Sequence, residues 1–187
     1  MRKIFISSHN DDEALFGSFT IMRHRHDVEV VVVYDSYVQV SRGYSYCTKE
    51  QRRAETTEAL ITMGVVKPPR FIGLRDDATV DATVVAETLA EYAGCAIWAP
   101  AYENDGNRHH NTVARAVGAT ITEDSPQVVR YLSYTSNGKS TSQVPVFPAH
   151  WSDIPLKLIA LSCYHSQIEI PDCRPHFLRD QSEYYAA

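Results

Sequence analysis

Five adjacent residues near the N-terminus carry side chains that bind metals or transfer protons: His9, Asn10, Asp11, Asp12 and Glu13. Three consecutive carboxylates repel one another unless a cation or hydrogen-bond donors neutralise them. A helix that begins near Asp12 would offer free N–H groups and the positive end of its dipole, and a divalent metal ion would neutralise them further. His9 and Asp12 are three residues apart, so an imidazole nitrogen and a carboxylate oxygen can meet at one ion across a turn.

A second group of such side chains runs from Asp105 to His110. His109 or His110 could supply a third ligand, which would complete a set of two histidines and one carboxylate with an open position for water. Such a site activates water and polarises a carbonyl group. Asp11 would remain uncoordinated beside that water, in place to act as a general base.

The rest of the sequence predicts alternating strands and helices that would bring the two groups together. We expect strands over residues 3–8, 28–34, 70–74, 95–99 and 128–134, and helices over residues 12–23, 48–63, 80–92, 112–122 and 153–163. The Ser-, Thr-, Gly- and Pro-rich stretch 135–148 is expected to be a surface loop. This alternation is typical of an α/β fold with a mostly parallel sheet that is covered by helices on both faces. Both groups would then lie beyond the carboxyl ends of strands, where such sheets carry their reactive residues.

Each group also has a purely structural interpretation. The run from Asp11 to Glu13 fits an acidic first turn of a helix, with His9 as an ordinary turn residue. The pair His109 and His110 fits the solvated start of a helix. Their expected placement at the same end of one sheet favours the metal site over these two interpretations.

Composition limits the classes of protein to consider. The chain has 187 residues, 44% of them hydrophobic, which suits one compact domain over residues 1–187. The net charge of -5 argues against nucleic acid or anionic lipid as the main partner. No apolar run approaches the roughly 20 residues of a membrane helix, and no apolar stretch of signal-peptide length precedes the acidic run, so we expect a cytoplasmic protein. The four cysteines form no C-x-x-C pair and are expected to be free thiols.

Four segments of the chain resemble one known family. The first group and the strand before it, IFISSHNDDEALFG, resemble the (A/S)HPDDE signature of the PIG-L/LmbE-like zinc-dependent deacetylases. Three later segments are similar to motifs of that family in the same order: Arg52-Arg53-Ala54-Glu55 with Ala59 and Gly64, then residues 105–110, and then Lys157, Ala160, Leu161, Tyr164, Ser166 and Gln167. The resemblance spans residues 3–167.

The resemblance implies a single-domain, Rossmann-like three-layer α/β sandwich. It also implies a hydrolase that removes N-acyl groups, typically acetyl from N-acetylglucosamine-type sugars. By position, the metal ligands of the family fall on His9, Asp12 and His110, with Zn²⁺ as the expected cofactor and Fe²⁺ as an alternative. The general base falls on Asp11, which would take a proton from a water activated at the metal.

The family's substrate-binding arginine falls on Arg52, with Arg53 as its competitor. Asp105 and Tyr164 are the other expected substrate-binding residues, and Glu13 would support the start of the helix.

The second motif departs from the family pattern at three positions. Asn107 replaces a histidine, Arg108 a proline and His109 an aspartate, whereas in the first motif Asn10 replaces a proline. The replaced histidine is the family's candidate for stabilising the oxyanion or protonating the leaving group. Asn107 can donate a hydrogen bond to an oxyanion but cannot act as an acid. Either His109 takes over that role, or Asp11 passes the proton to the leaving amine.

Three functions therefore remain open from the sequence. The first is an N-deacetylase of an amino sugar or a similar small conjugate. The second is a deacylase of a modified nucleoside or antibiotic, suggested by the altered second motif and by the tyrosine-rich loop 35–47. The third is a catalytically inactive binding module. The expected partner is a small N-acetylated molecule such as a sugar conjugate, with no membrane or nucleic-acid partner, and the formation of a homo-oligomer is left open.

Overall fold

The computed structural model describes residues 1–35, 47–75, 82–103, 107–120, 127–133, 143–169, 174–178 and 182–186. The strands are β1 (Lys3–His9), β2 (Val28–Tyr34), β3 (Arg70–Leu74), β4 (Ala96–Pro100), β5 (Gln127–Tyr131), β6 (Gln143–Val146) and β7 (Glu183–Ala186). The helices are α1 (Asp12–Phe16), α2 (Ser18–Arg23), α3 (Lys49–Thr62), α4 (Ala82–Leu89), α5 (Arg108–Thr120), α6 (Asp153–Ser162), α7 (His165–Ile168) and α8 (Arg174–Leu178).

These strands form one sheet in the order β3-β2-β1-β4-β5-β7-β6. The pairs among β1 to β5 are parallel, and β7 is antiparallel to both β5 and β6. The predicted mostly parallel α/β sheet is therefore confirmed. The chain order runs outward in opposite directions from β1, towards β3 on one side and towards β5 on the other. This reversal opens a crevice beyond the carboxyl end of β1.

Hydrophobic residues of the central strands alternate between the two faces of the sheet. In β1, Phe5 packs into one core with α1, α2, α3 and α6, whereas Ile4 and Ile6 pack into the other core with α4 and α5. The valines of β2 divide in the same way, with Val30 on the first face and Val31 on the second. A strand that is buried on both faces needs such a nearly continuous apolar run.

The helix predicted over residues 12–23 is interrupted at Gly17, between α1 and α2. A side chain at this position would overlap the Phe5 ring, since an added Cβ would fall among the ring atoms. Glycine therefore lets the helical segment lie directly against β1. This close approach brings the first turn of α1 to the end of that strand.

Other elements also differ from the expectation, α5, β6 and β7 among them. Helix α5 begins at residue 108 rather than 112, so His109 and His110 lie on a helix. Strand β6 falls within the predicted loop 135–148, and β7 was not predicted at all. The sequence of β6, QVPV, contains a proline, which weakens a strand pattern but is tolerated on the outermost strand of a sheet. Pairing with β7, from far along the chain, decides its conformation.

Among the described residues, Cys47, Cys95 and Cys163 are free thiols, as expected. Cys173 lies outside those residues. None of the described helices combines the length and the apolar character that crossing a membrane requires.

A buried ion pair attaches β7 to the helices beside the site. The ammonium of Lys157 lies 2.7 Å from a carboxylate oxygen of Glu183 and donates to the carbonyl of Leu15 at 3.2 Å. Glu183 also accepts the backbone N–H of Phe19 at 3.0 Å. Neither charged side chain is more than 1% exposed. Each charge therefore depends on the other for compensation.

We expect Lys157→Met to lower the free energy of unfolding by about 3–5 kcal/mol, because Glu183 would keep a buried charge without its cation. The double variant Lys157→Met/Glu183→Gln should recover part of this loss. Urea denaturation of the wild type, both single variants and the double variant measures the coupling. Strictly additive losses in the double variant would contradict the prediction.

Candidate metal centre and active site

Three donor atoms from two distant segments converge beyond the end of β1. His9 is the last residue of β1, Asp12 is the first residue of α1, and His110 lies in the first turn of α5. Oδ2 of Asp12 lies 3.8 Å from Nδ1 of His9 and 3.2 Å from Nε2 of His110. The two ring nitrogens are 3.2 Å apart. These three residues form a group that could hold a metal ion.

The shape of this group fits a small divalent cation. Two N or O ligands bonded at about 2.0–2.1 Å in a tetrahedron lie roughly 3.3 Å apart, close to the separations between these donor atoms. Asp12 is fully buried, and its Oδ1 has no hydrogen-bond partner within the described part of the chain. A buried carboxylate oxygen without a partner is costly, and a cation would offset that cost.

The electrostatics of His9 and Asp12 favour the protonation states that bind metals, whereas His110 would have to lose a proton that Asp12 stabilises. Burial lowers the pKa of His9 to about 3, despite the nearby carboxylate of Asp12, so this imidazole is neutral near pH 7. Burial acts to raise the pKa of Asp12, but His110 and His9 outweigh it and the pKa is lowered. Burial likewise opposes protonation of His110, yet Asp12 outweighs it and raises the pKa of that ring.

Asp11 occupies a strained position between the two ligands of the first motif. Its φ of 150° is positive, which is costly for a residue with a side chain. Its backbone N–H lies 3.2 Å from both the carbonyl of His9 and a carboxylate oxygen of Glu13. The Asp11 side chain is 15% exposed, whereas that of Asp12 is 0% exposed. Burial raises the pKa of Asp11 to about 6, with Arg52 opposing the shift.

Arg52 binds the loop that carries Asp11. Its guanidinium donates to the carbonyl of Asn10 and to Oδ2 of Asp11, the latter at 3.2 Å. Glu55, one turn along α3, lies 3.8 Å from the same guanidinium. Glu55 in turn accepts the backbone N–H and the hydroxyl of Ser166 at 2.8 and 2.6 Å. The Arg52 side chain is only 5% exposed. The guanidinium that was expected to bind substrate is therefore occupied by contacts within the protein.

Arg53 contacts a different carboxylate from the one that Arg52 contacts. Its guanidinium binds the buried carboxylate of Asp35, just beyond β2, and the Lys49 ammonium lies 4.0 Å from the same carboxylate. The Arg53 side chain is 36% exposed. Of the two arginines, Arg53 is therefore the more accessible.

Tyr164 and Glu13 form part of a buried network behind the loop. Tyr164 is fully buried, and its hydroxyl donates to Glu13. Glu13 also accepts the hydroxyl of Ser7 at 2.9 Å. Burial, together with the nearby Asp11, raises the pKa of Glu13 to about 8. Tyr164 was expected to bind substrate, but a side chain with no accessible surface cannot contact one.

Two of the three altered residues of the second motif, Asn107 and His109, make contacts within the site. Oδ1 of Asn107 accepts the backbone N–H of His109 at 2.8 Å, which makes Asn107 the N-cap of α5. Nδ1 of His109 lies 2.9 Å from Nε2 of His9, and burial and the neighbouring Arg108 lower the pKa of His109 to about 4. Asp105 lies outside the described residues, as do Tyr37, Tyr44 and Tyr46 of the tyrosine-rich loop.

Two supporting contacts were not predicted from the sequence. Tyr34, which pairs with His9 across β1 and β2, stacks on His109 with ring centroids 4.4 Å apart. The link from Ser166 through Glu55 to Arg52 joins α7 to α3. The motif segments contain all three of these residues, but their order in the sequence does not reveal which pairs meet.

Replacing the cap of α5 should destabilise the helix that carries His109 and His110. We expect Asn107→Ala to lower the free energy of unfolding by about 1 kcal/mol, because the N–H of His109 loses its acceptor. Asn107→Ser keeps a capping oxygen and is the control. Chemical denaturation of both variants checks the expectation, which fails if the two are equally stable.

The strain at Asp11 predicts an unusual order of stability. We expect Asp11→Gly to be about 1 kcal/mol more stable than Asp11→Ala, since glycine tolerates a positive φ. Both variants lose the carboxylate, so the difference between their stabilities reports the cost of the positive φ for a residue with a Cβ atom. Thermal unfolding in the presence of a chelator measures it, and a less stable glycine variant would contradict the prediction.

A family model described as PIG-L, GlcNAc-PI de-N-acetylase, matches residues 4–121, which is more than half of the chain. No curated protein sequence matches this chain.

Several solved structures share the fold. N,N'-diacetylchitobiose deacetylase from Pyrococcus horikoshii superposes with a TM-score of 0.62 at 17% identity, covering 91% of this chain and 71% of that one. The 4-carboxy-2-hydroxymuconate hydratase GalB from Pseudomonas putida KT2440 superposes with a TM-score of 0.68 at 12% identity, covering 100% of this chain and 95% of that one. A zinc-inhibited form of teicoplanin deacetylase Orf2 superposes with a TM-score of 0.66 at 16% identity, covering 90% of this chain and 85% of that one.

The family match covers β1 to α5, and with them all three donor residues of the candidate metal centre. The structural neighbours show that the remaining elements follow the same fold. This chain belongs to the PIG-L family, the LmbE-like deacetylases with a Rossmann-like α/β fold.

Proposed function

We propose that this chain is a zinc-dependent hydrolase that removes an N-acetyl group from an amino sugar or a similar small conjugate. The observation that carries the proposal is the convergence of His9, Asp12 and His110, with the carboxylate of Asp11 near enough to interact electrostatically with Asp12 and His110. The family description names the same reaction, N-deacetylation of a glucosamine derivative. We further propose that residues 1–187 act as one domain.

A divalent cation held by His9, Asp12 and His110 would supply a Lewis acid for the acyl oxygen and would lower the pKa of water. Asp11 takes the proton of the attacking water. The amide C–N bond then breaks, and the same proton passes to the leaving amine, so that acetate and a free amine are the products. Asp11 carries both transfers because Asn107 has no acidic proton and His109 contacts His9.

The surrounding residues position Asp11 more than they bind substrate. Arg52 holds Asp11 by its side chain and by the neighbouring carbonyl of Asn10. Tyr164 holds Glu13, which in turn accepts the N–H of Asp11. We assign substrate contact to Arg53, because it is the more exposed of the two arginines.

The altered second motif supports one alternative from another class. Because Asn107 caps α5 and His109 contacts His9, neither of them supplies the acid that the resemblance led us to expect. A chain that binds a metal and an N-acetylated ligand without cleaving it would have the same contacts. Catalysis alone separates this alternative from the hydrolase.

The experiment is an amine-release assay on purified protein with Zn²⁺, over a panel of N-acetylated amino sugars. We expect release from at least one compound, and Asp11→Asn should lower the rate roughly 10²- to 10⁴-fold while the zinc content is unchanged. His110→Ala, the matched control, should lose the zinc itself.

Stoichiometric zinc without amine release from any compound would instead support the binding module. A wild-type chain that holds no metal would overturn both functions.

A further inference from the structure

His109 lies behind His9, on the side away from the candidate metal centre. Nδ1 of His9 faces Asp12 and His110, at 3.8 and 3.2 Å. Nε2 of the same ring faces Nδ1 of His109 at 2.9 Å. The two nitrogens of an imidazole point in different directions, so His109 cannot be a fourth member of the donor group.

Only one arrangement of protons satisfies both contacts of His9. A neutral imidazole has one N–H and one lone pair. If the lone pair on Nδ1 faces the cation, the hydrogen must be on Nε2, whose hydrogen-bond partner within the described part of the chain is Nδ1 of His109. Nδ1 of His109 must then be the acceptor.

We propose that His109 is a positioning residue, whose Nδ1 accepts the Nε2–H of His9 and so keeps the other nitrogen of His9 directed at the metal centre. The proposal rests on the function proposed above, since it assumes that His9 binds the metal. A histidine that ligates a metal usually donates its other N–H to a carboxylate, a carbonyl or water. Here a second imidazole takes that role.

The surroundings of His109 suit an acceptor of fixed orientation. Its ring stacks on Tyr34, with centroids 4.4 Å apart and planes 28° apart. Its backbone N–H is bound by the cap residue Asn107. Its second nitrogen, Nε2, is buried without a hydrogen-bond partner among the described residues. A ring held in this way has no nitrogen exposed to a substrate, and a role in positioning explains its place better than proton donation does.

The matched variants are His109→Asn and His109→Leu. The Oδ1 of asparagine can occupy the place of Nδ1 and accept the same hydrogen, whereas leucine has a similar size and no acceptor. We expect His109→Leu to weaken Zn²⁺ binding roughly 10- to 100-fold and His109→Asn to stay within about threefold of the wild type. Competition of the metal-free protein with a chromophoric chelator for Zn²⁺ measures both affinities without any substrate.

Equal Zn²⁺ affinities for the wild type and His109→Leu would overturn the proposal while leaving the metal centre intact. A wild type that binds no Zn²⁺ would instead overturn the proposed function, and this inference with it.

A direct measurement keeps the proposal testable if His109→Leu fails to fold. In the zinc-loaded wild type, ¹⁵N NMR of the histidine rings should show a proton on Nε2 of His9, coupled across the hydrogen bond to an unprotonated Nδ1 of His109. A proton on Nδ1 of His109 would overturn the proposal.

Discussion

The structure around the candidate site depends on the burial of three consecutive carboxyl groups at the end of one strand. Asp12 and Glu13 are fully buried, and the side chain of Asp11 is 15% exposed. Burying a carboxylate without compensation costs several kcal/mol or forces it to take up a proton. Each of the three carboxyl groups meets a different compensating set, and each set includes one residue far along the chain: Arg52 for Asp11, His110 for Asp12 and Tyr164 for Glu13.

The compensation divides the three groups by role. Asp12 faces two imidazoles and keeps a lowered pKa, which suits a metal ligand. Asp11 faces the guanidinium of Arg52 and keeps an accessible edge, which suits a proton carrier. Glu13 accepts hydrogen bonds from hydroxyl and backbone groups and its pKa is raised, which suits a structural role. Neighbouring residues of one type thus acquire different chemistry from their surroundings.

Contacts between separate elements also give the altered residues of the second motif a structural role beside the first motif. Asn107 and His109 carry side chains that could have faced the substrate, but one caps α5 and the other contacts His9. Both act on the placement of the histidines of α5 or β1. Changes in this motif can therefore affect the candidate metal centre without changing any of its three donor residues.

The local patterns of the sequence determined most of the sheet and the pair His9 and Asp12, and the resemblance to the family selected His110 over His109 as the third ligand. The apolar runs of β1 and β2 and the spacing of His9 and Asp12 require only neighbours in the chain, so both could be predicted from the sequence. The tertiary structure decided that Nδ1 of His109 contacts His9 and that Tyr164 is buried. It also decided that Arg52 rather than Arg53 contacts Asp11. Those outcomes depend on packing between α3, α5, α7 and the strands, and no periodicity along the chain encodes which side chains from separate elements come into contact.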